Sequence, residues 1–326
     1  MEEVENRLTH PDKQLIETDK QITTSWMTNA YLQAATSENT RKAYRHDIRH
    51  YEKWGGKLPA TPEWIVRYLE AYAPTLNPRT LSRRLIALRH WHTYQGFADP
   101  TLHPAIAKTI AGILRIHGKP KVKARALTLE EMKQFASYLE QDGSIACIRD
   151  NALLQIGFFG ALRRSELVAI CLEHINWKED GIDILLPSSK TDQIHEGQFC
   201  AIPRGNNELC PVRALENWLA LSKITSGAIF RRITVGEHIG DHALTPLSVN
   251  HILKHRAKAV GFTDIEAFSS HSMRRGLATS AARAGAPLHA IMRAGRWKQT
   301  NTVMEYIEAS DRFTDNAASM MLNPVK

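Results

Sequence analysis

Residues 118–125 read Gly118-Lys119-Pro120-Lys121-Val122-Lys123-Ala124-Arg125, and residues 127–132 read Leu127-Thr128-Leu129-Glu130-Glu131-Met132. The first stretch is basic, carries Gly and Pro, and has almost nothing apolar to bury, so it reads as an exposed linker over 118–126. The second is a helix start. Thr128 and Glu131 have the spacing of a capping box, and Leu127 and Met132 that of a hydrophobic staple. A domain is therefore expected to begin at residue 127, with another ending at 117. A chain of 326 residues is long enough for both cores.

Upstream, residues 1–25 are polar and weakly patterned, as expected of a loose arm. Residues 26–117 read as a small helical domain. Tyr44, Ile48, Tyr51 and Trp54 recur on one helix face, with Arg41, Lys42, Arg45 and Arg49 on the others, and Gly55-Gly56 closes the element. A second helix starts at Asn77-Pro78, an N-cap followed by a proline at the first helical position. Leu81, Leu85, Leu88 and His92 mark its core face; Arg79, Arg83, Arg84 and His90 supply outward charge. Such runs commonly do no more than solvate a helix. Two in succession, in a chain with 42 Lys+Arg against 34 Asp+Glu, also suit a DNA backbone.

The net charge of +8 favours a polyanion partner. A membrane partner is not expected, because no Lys-rich amphipathic anchor is present and no apolar run approaches the roughly 18 residues of a spanning helix. The cysteines at 147, 171, 200 and 210 show no CxxC spacing, so neither a disulfide framework nor a structural zinc is expected. The N-terminus, Met1-Glu2-Glu3-Val4-Glu5, is acidic where a signal peptide would be basic and then apolar. A cytoplasmic protein is the expectation.

Downstream, residues 127–326 look mainly helical, over Asn151–Phe159, Ser165–Leu172, Pro211–Leu221, Ser248–Val260 and several segments after His271. The β-prone runs 182–187 and 198–203 flank a polar loop, which predicts a hairpin with a long tip. The fold class is therefore mainly α: a helical N-terminal domain and a mostly helical second domain with a small antiparallel sheet.

Four clusters could carry chemistry. Gly160-Ala161-Leu162-Arg163-Arg164-Ser165-Glu166-Leu167 offers an arginine with Glu166 three residues on. Lys190 lies at the hairpin tip in Ser188-Ser189-Lys190-Thr191-Asp192. His271-Ser272-Met273-Arg274-Arg275-Gly276 puts His271 and Arg274 on one helix face. Gly295-Arg296-Trp297 precedes Tyr306, in Val303-Met304-Glu305-Tyr306-Ile307, by nine residues. Each alone has an ordinary account: a helix-start ion pair, a surface lysine, a structural pair, core aromatics.

In order, Arg163, Lys190, His271, Arg274, Trp297 and Tyr306 resemble the motif series of the tyrosine recombinase (phage integrase) family: Arg, Lys, His-x-x-Arg, His or Trp, then Tyr. The resemblance extends over residues 30–326, and the tryptophan at 297 is most like the Cre-type members. Arg275 stands where many members carry a histidine, and no role is assigned to it.

The chemistry suits phosphoryl transfer. Permanently charged Arg163 and Arg274 can grip phosphate oxygens bidentately. Trp297 can only donate a hydrogen bond. Tyr306 can form a covalent phosphoester, with His271 the candidate base and Lys190 the candidate acid for the leaving oxygen. The resemblance implies that Glu166 orients Arg163, that the intermediate is 3′-phosphotyrosyl, and that strands exchange through a Holliday junction. It further implies no cofactor, metal or ATP. The implied partner is double-stranded DNA with inverted-repeat target sites, bound by a homo-oligomer, four protomers on two sites, associated with the nucleoid. The two domains would clamp the duplex, with the helices around 40–54 and 78–92 in the major groove. The apolar tail at 317–322 resembles a helix that docks on a neighbouring protomer; folding back on its own domain is the alternative. Two rival readings share features of the sequence. A DNA-binding regulator would keep the fold but has no need of Tyr306 or both arginines, and all are present. A type IB topoisomerase-like enzyme would share the tyrosine chemistry without paired sites.

Overall fold

The computed structural model describes residues 31, 34–120, 122–187, 197–205, 209–308 and 321–322. The loose arm at 1–25 and Lys190 lie outside these residues, as does the tail except for Met321 and Leu322. The chain divides into two compact units, residues 1–121 and 122–326.

In the first unit, α1 (Glu38–Lys53) starts where the Ser37 side chain accepts from the Thr40 amide at 3.3 Å. Pro62–Tyr72 forms α2, Pro78–Tyr94 forms α3 and Pro104–His117 forms α4. Each of these three has proline in its first turn, where the missing N–H costs nothing. Tyr51, Ile65, Tyr68, Leu69, Leu81, Leu88 and Ile106 close the core between them.

This core also holds a carboxylate, which corrects the reading of α3. Asp47 on α1 is 1% exposed and cannot stay ionised there without partners. Two arginines of α3 reach it: Arg83, which stays exposed as the periodicity placed it, and Arg84, which does not. Arg83 donates to it through Nε and Nη2, at 2.9 and 2.7 Å. Arg84, itself buried, brings Nε within 3.6 Å of Asp47 and donates to the Tyr68 hydroxyl at 2.9 Å. His50 contacts the same guanidinium at 2.9 Å, and burial followed by the charge of Arg84 holds its pKa down. Arg84 is thus a structural cation and not part of an outer basic face.

In the second unit, the Thr128 capping box is formed: the Thr128 hydroxyl accepts from the Glu131 amide, and the Glu131 carboxylate accepts from the Thr128 amide. Helix α5 (Leu129–Asp142) follows, then α6 (Ile145–Phe159), buried on nearly every side, and the short α7 (Arg164–Val168). A three-stranded antiparallel sheet comes next, β1 (Ile175–Lys178), β2 (Gly181–Leu186) and β3 (Gln198–Pro203), in that order, with Ile184 opposite Cys200. After α8 (Pro211–Ser222) a small hairpin, β4 (Arg231–Ile233) and β5 (Ile239–Ala243), leads into α9 (Pro246–Val260). The last helices are α10 (Ser270–Arg283), α11 (Leu288–Gly295) and α12 (Thr300–Glu308).

Helix α10 is the hub, packed against α6, α11 and α12. Its close approach to the start of the unit depends on Gly276, where a Cβ would lie 1.9 Å from the Leu127 carbonyl oxygen. The Leu127 amide in turn donates to the Ser272 carbonyl at 3.0 Å.

Candidate active site

The site grows from the end of α6. Gly160 caps that helix, and Ala161 follows with φ +44, a left-handed conformation that glycine usually fills. The turn aims the Ala161 carbonyl sideways, where the Nη1 of Arg274 donates to it. It also delivers Arg163 as the residue before α7. Glu166, 4% exposed, accepts from the Arg163 amide at 2.9 Å and from its Nη1 at 2.5 Å. One carboxylate therefore fixes both the backbone and the guanidinium of Arg163.

A residue the sequence reading left unassigned joins this group. Arg296 closes α11 in a left-handed conformation, φ +54. Its Nη2 donates to the Gly160 carbonyl at 3.0 Å and lies 3.6 Å from Glu166. The only sequence signal was its place between Gly295 and Trp297. Arg163, Arg274 and Arg296 thus share the neighbourhood of one carboxylate. Burial above all, then the charges of Arg163 and Arg296, press the Arg274 pKa down to about 10. Arg274 Nη2 and Arg296 Nε are buried with no hydrogen-bond partner among the described residues. Unpaired donors and surplus positive charge are what an anion would satisfy.

The aromatics complete the site. The Arg274 guanidinium carbon lies 4.4 Å from the Trp297 ring centroid. Trp297 meets Tyr306 edge-on, with centroids 6.0 Å apart and planes at 67°. The indole fits against α11 because residue 295 is glycine; a Cβ there would stand 1.9 Å from the ring. Val303 and Ile291 belong to the same apolar cluster as the two rings. The structure therefore brings Arg163, Glu166, Arg274, Trp297 and Tyr306 together. His271, exposed at the start of α10, lies one turn before Arg274.

Among the described residues no cluster of three or more His, Cys, Asp or Glu is placed to hold a metal, and no helix is long and apolar enough to cross a membrane. In the first unit, Arg41 and Arg45 line a groove of about 840 Å³ between α1 and α3, together with Arg49, Tyr44, His90 and Tyr94. Arg79 is exposed, and Lys42, also exposed, pairs with Glu38 at 2.6 Å.

Residues 125–312 match the phage integrase family, and residues 25–95 match its N-terminal SAM-like domain. An integrase/recombinase xerD homolog of Selenomonas ruminantium is 35% identical over 301 residues, 90% of this chain and 88% of that protein. The recombinase cre of Escherichia phage P1 is 28% identical over 304 residues, 86% of this chain and 87% of that one. In fold the chain is similar to the Tn1549 transposon integrase solved with transposon right end DNA, with a TM-score of 0.61 at 15% identity, covering 90% of this chain and 96% of that one. The chain belongs to the phage integrase family, the tyrosine site-specific recombinases.

Proposed function

We propose that Tyr306 attacks a backbone phosphate of duplex DNA. Its Oη forms a bond to phosphorus as the bond to the 5′-oxygen breaks, leaving a 3′-phosphotyrosyl link and a free 5′-hydroxyl. His271 takes the phenol proton, and Lys190 gives a proton to the leaving oxygen. Arg163 and Arg274 neutralise the charge that gathers on the phosphate oxygens, and Trp297 adds an N–H donor. Glu166 keeps Arg163 in place. The phosphotyrosyl bond is itself a phosphodiester, so a second 5′-hydroxyl can reverse the step without ATP. Strand exchange uses four protomers on two inverted-repeat sites and passes through a Holliday junction. Arg41, Lys42, Arg45 and Arg79 hold the DNA backbone from the first unit.

The observation that carries this reading is the contact of Tyr306 with Trp297, which also meets the buried Arg274 with its unpaired Nη2. The test is to incubate the protein, in EDTA, with fragments flanking its gene that carry a nick near the cleavage site. Wild type is expected to form an adduct that survives a denaturing gel and maps to Tyr306, whereas Tyr306→Phe binds the same fragment without forming one. Tight binding by wild type with no adduct would leave a DNA-binding regulator as the better account.

A further inference from the structure

Arg275, buried at 8% exposure, presents its guanidinium to the Tyr306 ring, with Cζ 5.1 Å from the ring centroid. Successive residues of a helix point about 100° apart, so Arg274 and Arg275 part company on α10. Arg274 turns to the Ala161 carbonyl and Trp297, while Arg275 turns to the tyrosine. One turn further along α10, the Thr279 hydroxyl donates to the Tyr306 carbonyl at 3.3 Å. Positions 275 and 279 share a helix face. That face therefore grips Tyr306 twice, by its ring and by its backbone.

We propose that Arg275 is a positioning residue for the nucleophile: its guanidinium holds the Tyr306 ring in the orientation from which the hydroxyl attacks phosphorus. The inference rests on Tyr306 being the nucleophile. A cation against a ring fixes the side chain without using the phenol oxygen, and so leaves that oxygen's proton and lone pairs to the reaction. A hydrogen bond to the oxygen would compete with both. Trp297 meets the ring from a second direction, which limits its remaining freedom.

The burial of Arg275 is costly as a structural device, because its Nε has no hydrogen-bond partner among the described residues. A methionine of similar length would fill the space without that cost. A purely structural role therefore predicts that activity and stability fall together, and a positioning role predicts that only the covalent step falls.

The experiment measures single-turnover adduct formation on the nicked fragment that traps the wild-type protein, over a range of DNA concentrations, together with thermal melting. In Arg275→Met the rate constant at saturating DNA is expected to fall about 10- to 100-fold, the scale of a misplaced reacting group. The half-saturating DNA concentration is expected to stay within about twofold and the melting temperature to hold or rise, since no phosphate contact is removed. Arg275→Lys, which keeps a cation beside the ring, is expected to recover most of the rate. The proposal is overturned by a wild-type rate in Arg275→Met, by rate loss that tracks loss of fold or of DNA affinity, or by an Arg275→Lys as slow as the methionine variant. Tyr306→Phe is run beside them. An adduct in that variant would refute Tyr306 as nucleophile, a failure distinct from any result at Arg275.

Discussion

Arg274 is a buried cation with two more cations, Arg163 and Arg296, among its neighbours. Its charged form is the disfavoured one in the fold, which is why its pKa falls from the ordinary arginine value to about 10. The sign follows. The charge costs stability at every pH below about 10, and the cost is relieved only as pH rises through about 10 towards the ordinary arginine value. At neutral pH Arg274 is still charged, so an anion in the site relieves the repulsion while the cation remains to bind it. Sulfate at constant ionic strength is therefore expected to raise the melting temperature of wild type more than that of Arg274→Gln. Equal shifts in calorimetry would mean that the anion binds elsewhere. The site's one shared carboxylate invites a second measurement. Glu166→Gln keeps the shape but removes the charge that holds Arg163 at two points and faces Arg296. Adduct formation at saturating DNA is expected to slow by about 100-fold, because the guanidinium drifts from the phosphate position. A rate within twofold of wild type would remove Glu166 from the mechanism.

Helices α1 and α3 meet over Asp47, and their joint stability is tied to its charge. Asp47→Asn would leave the buried Arg84 without its carboxylate, which costs about 3–5 kcal/mol when a buried pair is broken from one side. A loss of less than about 1 kcal/mol in the free energy of urea unfolding would show that Tyr68 and His50 satisfy Arg84 alone. The same pair of helices marks what sequence can show. The Thr128 cap and the core faces of α1 and α3 were readable because their signals lie within a few residues of one another. Arg84 was misplaced outward because helical periodicity sorts residues by polarity and cannot see Asp47 on another helix. Helices α2 and α4 are absent from the sequence reading, although each has a proline in its first turn, and β1 and the β4–β5 hairpin are too short for strand alternation to register. At the site, the ordered motif residues could be named in advance. The reach of Arg296 back to Gly160, across 136 positions, has no local signature at all.

At the scale of the whole chain, the proposed reaction draws its chemistry and its DNA affinity from different units. Tyr306 and the arginines around it belong to the unit over 122–326, while Arg41, Lys42, Arg45 and Arg79 belong to the unit over 1–121. Each unit has its own apolar core, so changes to these four cations of the first are not expected to disturb the site in the second. Each lysine or arginine that neutralises a phosphate releases about 0.9 of a counterion, seen as the slope of log affinity against log salt. If all four residues contact phosphates, changing them together to alanine is expected to flatten that slope by roughly 3–4 units. The rate of adduct formation at saturating DNA is expected to stay as in wild type, since no group near phosphorus has changed. Arg84→Met supplies the contrast, measured where that variant remains folded. Arg84 is buried, unlike the other four, so its loss is expected to leave the slope unchanged. A fluorescence titration at several salt concentrations separates the cases. An unchanged slope in the fourfold variant would mean that these cations only solvate their helices. A flatter slope in Arg84→Met would mean that Arg84 leaves Asp47 and turns outward when DNA arrives.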